Sequence, residues 1–282
     1  MQKNKACVVV PIYKEISSKN EVLSIEQALK ILNNHHIFFI CPRSFDQSFI
    51  SKFVDRDLIL KVEIFENEYF TSVNSYNKLL LSEKFYQRFS DYEFMLIYQL
   101  DAYVFDDQLE YWCNRNFDFI GAPWFKKFDT TGKEKEFIAL AGNGGFSLRN
   151  IQKINDLMQK KLSLGQMISL RNILAKSRTK SNKNLIFTAK FFINFFRKKN
   201  SLAELCNFIC NNAKAPNEDY FFASTLPKIF PDFKSAKAVE AIPFSFEAQA
   251  ENLYKINGNK LPFGCHAWEK YSPDFWKKFI NF

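Results

Sequence analysis

Residues 7–12 read CVVVPI and residues 37–41 read IFFIC before Pro42, two unbroken and largely β-branched or aromatic apolar runs. Runs of that kind form strands buried on both faces. Between them Val22, Ile25, Leu29 and Leu32 recur at spacings of three, four and three, so they line one side of a helix, with Ser17 and Ser18 as candidate N-caps and Asn33-Asn34 at its end. Strand, helix and strand within about 35 residues make a βαβ unit, hence two parallel strands joined by a right-handed crossover. Further along, 58–64 alternates like a strand, and 72–89 reads as a helix offering Tyr76, Leu79, Leu80 and Phe85 to the core. FMLIYQL (94–100) is another buried strand, and 151–164 is helical. The expected class is α/β: a mostly parallel central sheet flanked by helices.

Composition removes other classes. Of 282 residues, 47% are apolar and 24% charged, which excludes a disordered or fibrous chain, and only 8 Gly and 9 Pro exclude a collagen-like one. The net charge of +9 is concentrated: residues 149–199 hold 13 Lys and Arg against one acid, Asp156. Six cysteines without a repeated CxxC spacing indicate reduced, buried thiols rather than a disulfide framework or a zinc site. The first apolar run is six residues long, too short for a secretory leader, and no run reaches the ~18–20 residues of a membrane span. A cytoplasmic location is the expectation.

Four features carry candidate chemistry. Asp101 follows a buried strand, at the sheet edge where open α/β folds bind ligands; it is either a hard-oxygen ligand for a divalent cation or a solvated turn residue. Glu218-Asp219 stand between Pro216-Asn217 and an aromatic run. They suit the first turn of a helix, or the removal of a proton from an attacking hydroxyl. His266 lies between Gly264 and Trp268, either structural or completing a metal shell begun by Asp101. Three of the eight glycines fall in 142–145, so the backbone there turns sharply or approaches something closely. That loop matches neither GxGxxG nor GxxxxGK[ST].

An ordered set of segments spans nearly the whole chain: VVVPIYKE (8–15), SVNSYNKLLLS (72–82), YQLDAYVF (98–105), DFIGAPW (118–124), GNGGFSLRN (142–150), NEDYFF (217–222) and FGCHAWEK (263–270). The set resembles a bacterial domain family catalogued without assigned function, which looks like a branch of the GT-A glycosyltransferases. The resemblance implies a Rossmann-like, GT-A-like fold in one unit, with residues 1–105 as the nucleotide-binding half and 106–282 as the acceptor half, carrying a basic helical insertion at about 165–205. It implies that Pro11, Ile12 and Tyr13 hold the base and ribose of a nucleotide-sugar donor. Gln99 and Asp101 stand where such enzymes keep their DxD motif, with Asp101 and His266 on a divalent cation, Mn2+ or Mg2+. Gly144 and Gly145 would border the donor sugar and the acceptor, and Asp219, with Glu218, would be the base of an inverting transferase. One carboxylate of a DxD is missing, because the sequence reads Gln99-Leu100-Asp101.

Nine of the twelve residues in LIFTAKFFINFF (185–196) are apolar, and Arg197-Lys198-Lys199 follow. This is either a core helix beside a charged loop or an interfacial helix on an anionic leaflet. The second reading makes 185–199 a contact with the inner face of the cytoplasmic membrane and suits a glycan or lipid-linked glycan acceptor. No nucleic-acid-binding motif accompanies the basic charge. The expected function is sugar transfer in surface polysaccharide or lipopolysaccharide assembly. A non-catalytic carbohydrate- or nucleotide-binding module on the same fold is the alternative, and a basic membrane scaffold a third.

Overall fold

A computed structural model describes residues 4–16, 18–46, 48, 50, 53, 60–126, 136–176, 183–197, 199–212 and 215–282. β1 (Asn4–Pro11), α1 (Lys19–Ile31) and β2 (His36–Pro42) form the βαβ unit that the apolar spacing predicts. The two strands run parallel, with Cys7 opposite His36 and Pro11 opposite Ile40. Ser18 holds the N-cap position, but its hydroxyl makes no capping hydrogen bond, and Ser17 lies outside the described residues. β3 is Leu60–Phe65; residues 58 and 59, which the alternation assigns to it, also lie outside.

The helix expected over 72–89 is two helices, α2 (Val73–Leu80) and α3 (Glu83–Gln87). Ser72 Oγ accepts from Ser75 N at 3.1 Å and Ser82 Oγ from Phe85 N at 3.3 Å. A hydroxyl that captures a free amide opens a new helix, so the chain breaks before Ser82 although the apolar spacing runs on. β4 (Tyr92–Tyr98) also stops early, because Ala102 N donates to Gln99 O and closes a turn. Gln99, Leu100 and Asp101 therefore stand beyond the strand.

There follow β5 (Ala102–Val104), α4 (Leu109–Cys113), β6 (Phe119–Ile120), β7 (Pro123–Phe125), β8 (Phe137–Ala141), β9 (Phe146–Asn150) and α5 (Ile151–Gln159). α5 ends short of residue 164. Ser163 N donates to Gln166 Oε1, and Gln166 N donates to Ser163 Oγ, a capping box that starts α6 (Leu164–Lys176). α7 (Lys183–Phe196), α8 (Leu202–Asn212), α9 (Glu218–Tyr220), β10 (Ser245–Phe246) and β11 (Gly264–His266) complete the elements that build or flank the site.

The main sheet has the order β3-β2-β1-β4-β9-β6. Its first four strands are parallel, while β9 runs against both β4 and β6. Both faces are covered, as the continuous apolar runs require. Val8, Val10, Ile37 and Phe39 pack with Ile25 and Leu29 of α1. Cys7, Val9, Phe38, Ile40 and Met95 pack on the other side with Leu79, Leu80, Phe85, Ile154 and Leu157. The basic segment is anchored to this second core through Met167, Leu170, Phe191, Leu202 and Leu205, all fully buried. Each such side chain contributes roughly 1.5–3 kcal/mol by leaving water. All six cysteines are buried and free, and burial pushes the Cys41 and Cys210 thiols up to about 11, which keeps them unreactive.

Candidate functional site

The neighbouring parallel strands β1 and β4 end at Pro11 and Tyr98 on the same sheet edge. A cleft of about 720 Å³ opens there. Pro11, Tyr13, Gln99, Asp101, Gly144, Gly145, Glu218, Asp219 and His266 all line it. Five separate stretches of sequence thus converge on one space. Ile12 is the exception among the expected site residues. Its side chain is fully buried and its amide donates to Ile40 O at 2.8 Å, so its side chain serves the core and not the cleft.

Backbone hydrogen bonds lock the floor. Gln99 N donates to Gly145 O at 2.8 Å, and Ala267 N to Asp101 O at 2.8 Å. β11 pairs with β5 so that His266 lies opposite Ala102. The glycines are there for close approach: a Cβ on Gly145 would collide with the His266 imidazole, and one on Gly144 with a Glu218 carboxylate oxygen. Asn143 Oδ1 accepts from Gly145 N at 2.7 Å and fixes the loop.

His266 sits between two carboxylates. Nε2 lies 3.1 Å from Asp101 Oδ1 and 3.3 Å from Gln99 Oε1, and Nδ1 lies 3.3 Å from Glu247 Oε1. Burial works to keep the ring neutral, but hydrogen bonds to Asp101 and Glu247 outweigh it and push the imidazole up to about 10. Burial likewise favours the neutral Asp101 carboxyl, and the hydrogen bond and charge of His266 reverse that, holding it below the ordinary carboxylate value. Glu247, 7% exposed, also accepts from Asn143 Nδ2 at 2.6 Å, so one acid steadies both the imidazole and the glycine loop.

The opposite wall comes from the start of α2, including Ser72, Val73, Tyr76 and Asn77, and from Asn217, Glu218 and Asp219. Tyr76, expected in the core, packs against it and also lines this space. Glu218 and Asp219 do occupy the first turn of a helix, the short α9, yet their environments differ. Glu218 is 4% exposed and its carboxylate lies 2.9 Å from Nη2 of Arg149, itself fully buried. Arg149 also donates to Tyr86 Oη and Ser147 Oγ and lies over the Phe119 and Phe222 rings. Burial, then the neighbouring Glu218 charge, push Asp219 up to about 7. Of the pair, Asp219 is the one suited to take a proton near neutrality, with Glu218 committed to its ion pair.

Asp101 Oδ1 and Gln99 Oε1 lie within 3.3 Å of His266 Nε2, donors of the kinds a hard divalent cation takes, and Glu247 on the far ring nitrogen is the partner that would orient a ligating imidazole. A cation there would have to displace the Nε2 proton that the raised imidazole holds against Asp101. Among the described residues no three His, Cys, Asp or Glu side chains cluster for metal binding.

Arg149 and Glu247 were not among the residues that the sequence singles out. Arg149 left a faint signal: the period of a strand puts it on one face with Ser147, in an otherwise apolar environment. Glu247 left none beyond being the lone acid in a largely apolar stretch, 241–250.

Fold and cleft together define a mixed α/β protein with a mostly parallel sheet and a polar, acid-lined cleft at the strand ends. The chain belongs to the family described as protein of unknown function (DUF5672), whose profile matches residues 59–266. No curated protein matches it. Solved structures similar to it include the glycosyltransferase GlyE of Streptococcus pneumoniae TIGR4, at 11% identity and TM-score 0.44 over 99% of this chain and 61% of that one. The apo form of the same enzyme gives 10% and 0.42, over 99% and 60%. HddC from Yersinia pseudotuberculosis matches at 12% identity and TM-score 0.33, over 54% of this chain and 79% of that one. The chain thus spans about three-fifths of the length of GlyE. Likenesses this distant say nothing about activity. Among the described residues no helix is long and apolar enough to cross a membrane.

Proposed function

We propose that this chain is a glycosyltransferase, moving a sugar from a nucleotide-sugar donor to a hydroxyl of a glycan or lipid-linked glycan, with inversion, in bacterial surface polysaccharide or lipopolysaccharide assembly. The observation that carries the reading is the meeting, in one cleft, of the Gln99-Asp101-His266 donor group and an Asp219 poised at about 7. The donor's diphosphate would lie against Asp101, Gln99 and His266, and its nucleoside toward Pro11 and Tyr13. Tyr13, 54% exposed at the mouth, offers a ring face to a base. Asp101, Gln99 and His266 would hold a Mn2+ or Mg2+, which when bound would supply Lewis-acid stabilisation of the leaving diphosphate. The acceptor oxygen bonds to the anomeric carbon as the bond from that carbon to the diphosphate breaks. The hydroxyl proton passes to an Asp219 oxygen, and the nucleotide leaves with the bonding pair. Glu218, tied to Arg149, keeps Asp219 basic enough for that task by its charge.

Gln99, where a second carboxylate would strengthen cation binding, favours one other reading, a non-catalytic nucleotide or carbohydrate binder. A thermal-shift panel of UDP-, GDP-, CMP- and dTDP-sugars, with and without Mn2+, tests the proposal. One donor at 100 times its Kd should stabilise the fold by about 2.7 kcal/mol, and Asp101→Asn should lose the shift. No shift with any donor would refute the donor site. A shift with no nucleotide released would favour the binder.

A further inference from the structure

We infer that α7 and the start of α6 form a docking surface for an anionic lipid bilayer, the helices lying on the membrane without crossing it. This goes beyond sugar transfer and stands whether or not the chain performs it.

Among the described residues, α7 packs on the core through Phe187, Phe191 and Phe192. Phe191 is fully buried, and the Phe187 and Phe191 rings pack on Phe208 of α8 at 5.4 and 5.9 Å. The other side faces out. Ala189, Ile193 and Phe196, at helical spacings of four and three, form an exposed stripe, with Ile193 48% and Phe196 73% exposed. Lys190 and Arg197, seven apart and both exposed, run alongside it, and Lys199 follows. α6 adds to the same region. Arg171 Nη2 donates to Thr188 Oγ1 at 3.1 Å and ties the two helices together. Leu164 and Ile168 share the α6 face of Arg171, at 48% and 41% exposure.

Two properties choose the occupant. Four of the molecule's exposed large apolar side chains gather on this one pair of helices, beside cations rather than a neutral rim. The sequence from 157 to 203 contains no acid at all against 11 Lys and Arg, so no carboxylate from this stretch neutralises the surface. Apolar side chains that enter the acyl boundary, with Lys and Arg at the headgroups, are what binds an amphipathic helix to anionic lipid. Nucleic acid would leave Ile193 and Phe196 in water.

Co-sedimentation of the full chain with vesicles tests this. Vesicles of phosphatidylcholine with about one-third phosphatidylglycerol should pellet the protein, and pure phosphatidylcholine vesicles should not. Ile193→Asp with Phe196→Asp should weaken binding at least about tenfold, and so, separately, should Lys190→Glu with Arg197→Glu. All four positions are exposed, so the two variants should fold and keep the wild-type melting temperature. The inference fails if wild-type protein stays in solution with anionic vesicles, if it binds neutral vesicles equally, if both variants bind like wild type, or if duplex DNA displaces the protein from the vesicles. Loss of nucleotide-sugar binding would leave this result untouched, so the two proposals fail separately.

Discussion

In an Asp219→Asn variant the amide keeps the shape of the carboxyl and its oxygen can still accept from Tyr220 N, as Asp219 Oδ1 does at 2.6 Å. What disappears is a titration. Asp219 moves from an ordinary value of 3.8 to about 7 on folding, first through burial and then through Glu218. Between those values the folded chain holds a proton that the unfolded chain has lost. Wild-type stability therefore falls as pH rises through this window and levels off above it. Three units at 1.36 kcal/mol each set an upper bound of about 4 kcal/mol at pH 8, against roughly 0.5 kcal/mol at pH 4. Because part of the push comes from Glu218, the expected gain for Asn is about 2–4 kcal/mol at pH 8 and under about 1 kcal/mol at pH 4. Urea unfolding of both proteins at the two pH values measures it. A gain of equal size at both pH values, or a loss at pH 8, would refute the reading of Asp219 as a half-buried acid whose affinity for a proton folding raises.

Other residues give equally direct outcomes. Arg149→Met leaves Glu218 buried without its partner and should cost about 3–5 kcal/mol, read by urea unfolding at pH 7. Gly145→Ala drives a methyl into the His266 ring, so it should abolish the donor-dependent rise in melting temperature while a far-UV spectrum stays native. Glu247→Gln removes one of the two carboxylates that raise His266, and an NMR titration of the imidazole should find its pKa lower than in wild type.

How much of this was legible in the sequence depended on whether local spacing decided the structure. β1, α1 and β2 were, because each buries a face whose period is written in consecutive residues. The break inside 72–89 was hidden because Leu79, Leu80 and Phe85 are all buried although they belong to two helices. Only Ser82 marked it. β4 read two residues too long because Leu100 remains in the core beyond the end of the strand. The convergence of Asp101, Gly145 and Asp219 was expected from resemblance alone, since no spacing specifies contacts between residues so far apart. Ile12 is the one expected site residue whose side chain lies in the core and not along the cleft.

The measurement closest to the central claim is nucleotide release from whichever donor raises the melting temperature, in wild-type and Asp219→Asn protein side by side. The account predicts release by the wild type, a rate lower by about 10²–10⁴-fold in the variant, and the same donor-induced melting shift in both. Equal rates in the two proteins, or no release by either, would contradict it.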